Sequence, residues 1–151
     1  MTRVWRIVTK RRASFAFTGE GARRYGGRWN RKGIPLVYTA ESQALAMLEM
    51  LVQDEPLRAA YVVFPVEFSD RLRIERIELK QLPKNWREPE QIEFLRELGT
   101  NWAKNQKSAV LAVPSAVIPS ETNYLLNPLH PRFNQIIIGK SVPFITDPRL
   151  F

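Results

Sequence analysis

Gly26-Gly27-Arg28-Trp29-Asn30 leads into Leu36-Val37-Tyr38, and that into Ala44-Leu45-Ala46-Met47-Leu48-Glu49-Met50-Leu51-Val52. The three pieces read in order as loop, strand and helix. Paired glycines interrupt regular structure and let a backbone approach its neighbour closely. Leu36-Val37-Tyr38 is a short buried strand, after which Thr39 caps a helix running to about Asp54. On a wheel of about 100° per residue, Leu45, Leu48 and Val52 share a face with Glu49 between them. Glu49 is therefore expected to point into the protein or into a cleft.

Working outward, residues 3–8 alternate in part and read as a first strand. Residues 18–33 hold five glycines and read as loop. The run 60–68 is rich in Val, Phe and Tyr, a strand whose Pro65 puts it near an edge or a bulge. Leu72, Ile74 and Arg76 suggest a half-exposed strand. Pro83 to Pro89 is a connector, and Glu88 and Glu90 suit the first turn of a helix reaching about Asn105. Ile92, Leu95 and Trp102 give that helix its buried face. Residues 110–113 form a strand ending at Pro114-Ser115, residues 136–138 a late one, and aromatics pin the tail 144–151. The order is not a regular βαβ alternation. The expected fold class is α+β: a single domain over 1–151, a mixed sheet with flanking helices.

Composition narrows the function. There is no cysteine, which excludes disulfides and thiolate chemistry and suits a reducing compartment. One histidine and no cysteine make a zinc site implausible, and a nucleophilic Ser-His triad has no Gly-x-Ser-x-Gly to rest on. No apolar run approaches membrane-spanning length and no leader-like segment opens the chain, so a cytoplasmic protein is expected. The net charge is +8. Residues 1–33 hold ten Lys and Arg against Glu20 alone, and the rest of the chain is close to neutral. A basic segment on a neutral body fits a focused anion site better than non-specific nucleic-acid binding, which stays the non-enzymatic alternative.

The residues that carry chemistry follow from this. The Arg28 fork can grip phosphate or carboxylate with two hydrogen bonds, and the plain alternative is a surface arginine stacked on Trp29. For Glu49 the alternative is a carboxylate paired with a structural arginine; a cationic partner is expected either way. Tyr38 is a core residue unless its hydroxyl faces the same cleft. Ser115, presented where a strand stops, can bond a ribose or an amide, or simply its own turn. The four tryptophans are too dispersed in sequence for a stacking ladder, and His130, between Leu129 and Pro131, reads as structural. Arginine, glycine and an embedded carboxylate together point to a small enzyme acting on an anionic substrate, a dinucleotide foremost.

Taken together these residues resemble the RES domain family, named for its Arg, Glu and Ser signature. The matching positions are Arg28 in Gly-Gly-Arg-Trp-Asn, Tyr38 in Val-Tyr-Thr-Ala, Glu49 in Leu-Glu-Met-Leu and Ser115 in Val-Pro-Ser-Ala-Val. Ser115 is taken as the signature serine over Ser120. Arg6 in Val-Trp-Arg-Ile matches the opening strand, and Asn123 with Asn127-Pro128-Leu129-His130-Pro131 matches the C-terminal part. The resemblance spans nearly the whole chain.

It implies a fold similar to ADP-ribosyltransferases and the toxin of a bacterial type II toxin–antitoxin pair that depletes NAD⁺ by hydrolysis or phosphorolysis. It also implies an antitoxin similar to Xre-type helix-turn-helix repressors, with DNA reached only through that partner, no membrane, and room for a homo-oligomer. Some relatives instead look like ADP-ribosyltransferases acting on a protein. Arg6 and Arg28 would bind the pyrophosphate, with Asn123 also on the dinucleotide. Tyr38 would meet the nicotinamide ribose, Glu49 the oxocarbenium-like transition state and Ser115 the nicotinamide end. NAD⁺ would be substrate, inorganic phosphate a possible co-substrate, and no metal or other cofactor is implied.

Overall fold

Strands β1 (Thr2–Thr9), β2 (Val37–Ala40), β3 (Tyr61–Phe68), β4 (Ile74–Arg76), β5 (Val110–Pro114), β6 (Thr122–Leu126), β7 (Ile137–Ile138) and β8 (Val142–Phe144) form one sheet. The computed structural model describes residues 1–53 and 60–150. The strand order is β4-β5-β6-β2-β1-β3-β7, with β8 also on β3. Only β4 and β5 run parallel; the other pairs are antiparallel. Helices α1 (Glu20–Tyr25), α2 (Gln43–Gln53) and α3 (Ile92–Asn105) flank it. This is the expected α+β class with a mixed sheet.

The sheet has a seam. β1 and β3 pair along their whole length, from Thr2↔Phe68 to Thr9↔Tyr61, whereas β1 and β2 meet only at Trp5↔Ala40. The sheet also curls. Val4 of β1 and Val66 and Phe68 of β3 share an apolar cluster with Val37, Val110 and Leu126 of the other half. The opposite faces of β5 and β6, carrying Leu111, Val113 and Leu125, pack against Leu95, Trp102 and Ala103 of α3. β5 is thus covered on both sides. That is why residues 110–113 read as an unbroken apolar run and not as an alternation.

Several expectations need correcting. The segment 18–33 is not all loop: α1 forms between Gly19 and Gly26, both at positive φ. Thr39 lies inside β2, where its hydroxyl donates to the Tyr124 carbonyl at 2.7 Å. The cap of α2 is instead Ser42, whose Oγ accepts from the Leu45 N–H at 3.1 Å. Val52 is 67% exposed, so the buried stripe of α2 rests on Leu45. The expected end of α2 at Asp54 lies outside the described residues.

β3 has neighbours on both sides, so Pro65 is not at an edge. Its carbonyl accepts from Gly139 at 2.8 Å, so its imide nitrogen faces the gap between the β7 and β8 pairings. No ladder bond is lost there. Glu88 and Glu90 belong to a 3₁₀ turn ahead of α3, not to its first turn. Trp29, Trp86 and Trp102 gather in one buried cluster despite their spacing in the chain. Past Phe144, which pairs in β8, the tail is largely exposed: Ile145 is 89% accessible, and Phe151 lies outside the described residues.

Candidate active site

The Arg28 loop is built from the residues around it. Gly27 sits where a Cβ would fall 2.6 Å from the Tyr38 hydroxyl oxygen and 2.8 Å from Asn30 Oδ1. Any side chain there would break the contact between those two groups. Asn30 is fully buried. Its Oδ1 accepts the Tyr38 hydroxyl at 2.5 Å, and its Nδ2 is shared among the carbonyls of Ala22, Arg31 and Ile34 at 2.9–3.1 Å.

Helix α3 clamps the loop from outside. The Cβ of any residue replacing Gly99 would lie 2.8 Å from the Trp29 carbonyl carbon and closer still to its oxygen. Thr100 Oγ1 accepts from the Arg31 N–H at 3.0 Å, and Arg96 Nε donates to the Gly27 carbonyl at 2.9 Å. Trp29 is buried against Trp86, so it offers Arg28 no surface to stack on. The loop is a rigid mount for one guanidinium.

That guanidinium is unusual. Among the described residues, the only buried side-chain polar atoms without a hydrogen-bond partner are Thr9 Oγ1 and Arg28 Nη1. Burial lowers the Arg28 pKa from its ordinary value and the neighbouring Arg87 charge lowers it further, while Tyr38 and Glu49 oppose the shift. No ion pair within 4 Å joins Arg28 to Glu49 among the described residues. An unsatisfied buried donor of a charged group is costly, and a bound oxyanion would satisfy it.

Glu49 projects from α2 toward the same place. Asn123 of β6 donates from Nδ2 to Glu49 Oε1 at 2.6 Å and to the Thr39 carbonyl at 3.2 Å. One amide thus ties helix, β2 and β6 together and fixes the carboxylate. Burial raises the Glu49 pKa; the Asn123 bond and Arg28 pull it down, and Glu121 pushes it up. The outcome is a carboxyl above its ordinary range, held in one orientation and facing a cation it does not touch.

The other sequence candidates fall in two groups. Arg6 crosses the seam, donating from Nε to the Ala16 carbonyl at 2.6 Å and from Nη1 to the Tyr38 carbonyl at 2.9 Å. Burial brings its pKa down to about 10. The Tyr38 hydroxyl also accepts from the Trp29 N–H at 3.2 Å, and burial raises its pKa. The Tyr38 hydroxyl thus holds the Arg28 loop, while the Arg6 donors go to carbonyls outside it.

Ser115 is fully buried, and its Oγ accepts from the N–H groups of Val117 and Ile118 at 3.1 and 3.2 Å. The turn bond is what the structure contains. Ser120 is exposed at the rim of a separate hollow of about 230 Å³ beside Arg76 and Glu78. Asn127 bonds the Ala103 carbonyl and the Leu129 N–H, and His130 bonds Gln106 and Arg132, so both close the chain around the end of α3.

Sequence reasoning did not single out Asn30, Arg87, Arg96 or Glu121. Asn30 stands inside the quoted motif, and a polar residue next to a core tryptophan was the available signal. The others come near Arg28 and Glu49 only through tertiary contacts.

Comparison with known proteins is consistent along the whole chain. The family model described as RES domain matches residues 3–147. A protein of Yersinia enterocolitica named Toxin Res is 39% identical over 150 residues, covering 97% of this chain and 98% of that one. A Sphingobium protein named Prs ADP-ribosylating toxin is 37% identical over 155 residues, covering 99% and 96%. A Toxin Res of Pseudomonas putida is 38% identical over 157 residues, covering 98% and 99%. Among solved structures, a chain of the M. tuberculosis MbcT-MbcA toxin-antitoxin complex superposes with a TM-score of 0.76 at 23% identity, covering 94% of this chain and 83% of that one.

Proposed function

Since the chain belongs to the RES domain family, we propose that it is the toxin of a bacterial toxin–antitoxin pair and destroys NAD⁺ by cleaving the nicotinamide–ribose bond. The observation that carries this is the unpartnered, buried Arg28 donor beside a carboxylate fixed by Asn123. Arg28 binds the pyrophosphate by charge-assisted bonds, and the rigid loop spends little ordering entropy on it. The C1′–N bond breaks with its electron pair moving into the cationic ring, so nicotinamide leaves neutral and needs no general acid. Positive charge left on C1′ and the ring oxygen is stabilised by the Glu49 carboxylate. Water or phosphate then attacks C1′. Water gives up a proton for which Glu49 is the base, whereas a phosphate oxyanion needs none removed.

In this reading Asn123 positions Glu49, Tyr38 holds the Arg28 loop and Arg6 the seam, and both border the dinucleotide. Ser115 shapes the turn on which the nicotinamide end rests. An antitoxin, of the Xre-like kind the resemblance implies, covers the site, and DNA is reached through it. A cytoplasmic location follows from the substrate; among the described residues no helix is long and apolar enough to cross a membrane. A second reading, ADP-ribosyl transfer to a protein, is favoured by the name of the Sphingobium relative.

The test is to incubate purified, antitoxin-free protein with NAD⁺ labelled in the adenosine half, with and without phosphate and with lysate. ADP-ribose or its 1″-phosphate as main product supports glycohydrolase or phosphorylase action. Label on a protein band supports the second reading. No nicotinamide release in any mixture defeats both.

A further inference from the structure

At the ends of β5 and β6 that face away from Ser115 and Asn123 lies a hollow of about 270 Å³. Three stretches distant in sequence meet there, and each brings a cation: Arg73 ahead of β4, Lys107 between α3 and β5, and Arg132 past β6. Glu75 reaches Arg73 at 4.0 Å and Ser108 Oγ at 3.4 Å, so it offsets one of the three charges. The side chains of Lys107 and Arg132 have no hydrogen bond or ion pair among the described residues. Ser108 is buried, its Oγ between the Trp102 indole N–H at 2.8 Å and the Val110 carbonyl at 2.9 Å. Carbonyls at the end of α3 would repel an anion, but they are occupied. Asn127 Nδ2 donates to the Ala103 carbonyl at 3.0 Å, and His130 Nε2 to that of Gln106 at 2.8 Å. His130 Nδ1 accepts the Arg132 N–H at 3.0 Å, which fixes the backbone that carries the third cation.

A lysine just past a helix end suits the helix dipole, but that accounts for Lys107 alone. Three like charges drawn to one concavity repel, and an oxyanion among them turns the repulsion into attraction. We propose that this hollow is a phosphate-oxyanion site held by Arg73, Lys107 and Arg132. It is separate from the candidate active site: β5 carries the chain from Ala109 at its rim to Ser115 over roughly 20 Å, at about 3.3 Å per residue. The two places share α3, since Gly99 and Thr100 press on the Arg28 loop and Gln106 lines the hollow. An anion bound there ties the end of α3 to the segment past β6 and so steadies the helix that clamps Arg28. The oxyanion belongs either to inorganic phosphate or to the phosphate group of a mononucleotide.

Calorimetric titration of inorganic phosphate, and separately of AMP, at physiological salt tests the site. The chains are wild type, Arg28→Ala, the double variant Lys107→Gln/Arg132→Gln, and Lys10→Gln/Arg11→Gln as a control that removes two exposed cations elsewhere. Lys107→Gln/Arg132→Gln should weaken phosphate by about tenfold or more, and the affinity lost there should remain in Arg28→Ala and in the control. The charge-keeping Lys107→Arg/Arg132→Lys chain should retain most of it, with melting temperatures alike in the absence of phosphate. Phosphate should raise the melting temperature of wild type but not that of Lys107→Gln/Arg132→Gln. AMP no tighter than phosphate assigns the site to the free ion; tighter AMP binding, lost in the same variant, assigns it to a nucleotide. Equal affinities in wild type and Lys107→Gln/Arg132→Gln for both probes overturn the proposal. So does a loss confined to Arg28→Ala, or an equal loss in the control, which would mark general surface charge.

Discussion

Glu49 lies where burial resists ionisation. Its pKa is raised in the folded chain, chiefly by burial, above the value it takes when unfolded. The protonated carboxyl is therefore favoured by folding, and the ionised one costs stability once pH exceeds the ordinary glutamate range. Glu49→Gln should melt higher than wild type at pH 7, with the gain gone below about pH 4, where both states are protonated; a variant less stable at pH 7 would refute this account of the site. The same shift predicts that nicotinamide release falls on acidification with a midpoint above the usual glutamate value. Asn123→Ala removes a bond that favours the carboxylate, so its acid limb should move to higher pH, and an unmoved profile would show that Asn123 does not act through Glu49. The inward aim of Glu49 was legible from helical spacing alone. Its tether was not, because Asn123 reaches it across the sheet, and Ser115 read equally well as ligand or turn until its two backbone bonds were seen.

At the scale of elements, the site depends on α3 pressing on a loop far from it in sequence. Gly99 gives that contact its closeness: a methyl there overlaps backbone, not a flexible side chain. Gly99→Ala should cost about 3 kcal/mol or more in denaturant unfolding, with activity lost alongside, whereas Gly21→Ala, with open space at its Cβ, should be neutral or mildly stabilising. Patterning found α3 because it buries one face, and β5 because it is an apolar run covered on both sides. It missed β6, where Thr122 and Asn123 interrupt the apolar pattern and Asn123 serves the site, and β8, a short exposed strand around Pro143. It displaced the α2 cap from Ser42 to Thr39 because both hydroxyls precede the helix and only the sheet decides which is free.

For the whole molecule, the basic N-terminal segment of the sequence is less naked than its composition implies. Arg3 pairs with Glu67, Arg23 with Glu20 and Arg31 with Glu93, while Arg6 is enclosed by carbonyls. Part of that charge holds β1 to β3 and the loop to α3, while Lys10, Arg11, Arg12 and Lys32 stay exposed with no ion pair among the described residues. Duplex DNA titrated into the isolated chain at physiological salt should bind no better than about 10⁻⁴–10⁻⁶ M, the range of non-specific association. Tighter, sequence-selective binding would revive the nucleic-acid reading. The overall class, α+β with one mixed sheet, was legible because the predicted strands and helices do not alternate. The curl and the seam were not, since both depend on which strands share a core.

The central claim is that Arg28 and Glu49 form one NAD⁺-cleaving site. Its most direct test is the rate of nicotinamide release from NAD⁺ by wild type, Arg28→Ala and Glu49→Gln, each checked for a cooperative melt. Release by wild type and a loss of about 10²–10³-fold or more in both folded variants is the expected result. Turnover by either variant at the wild-type rate would contradict the account.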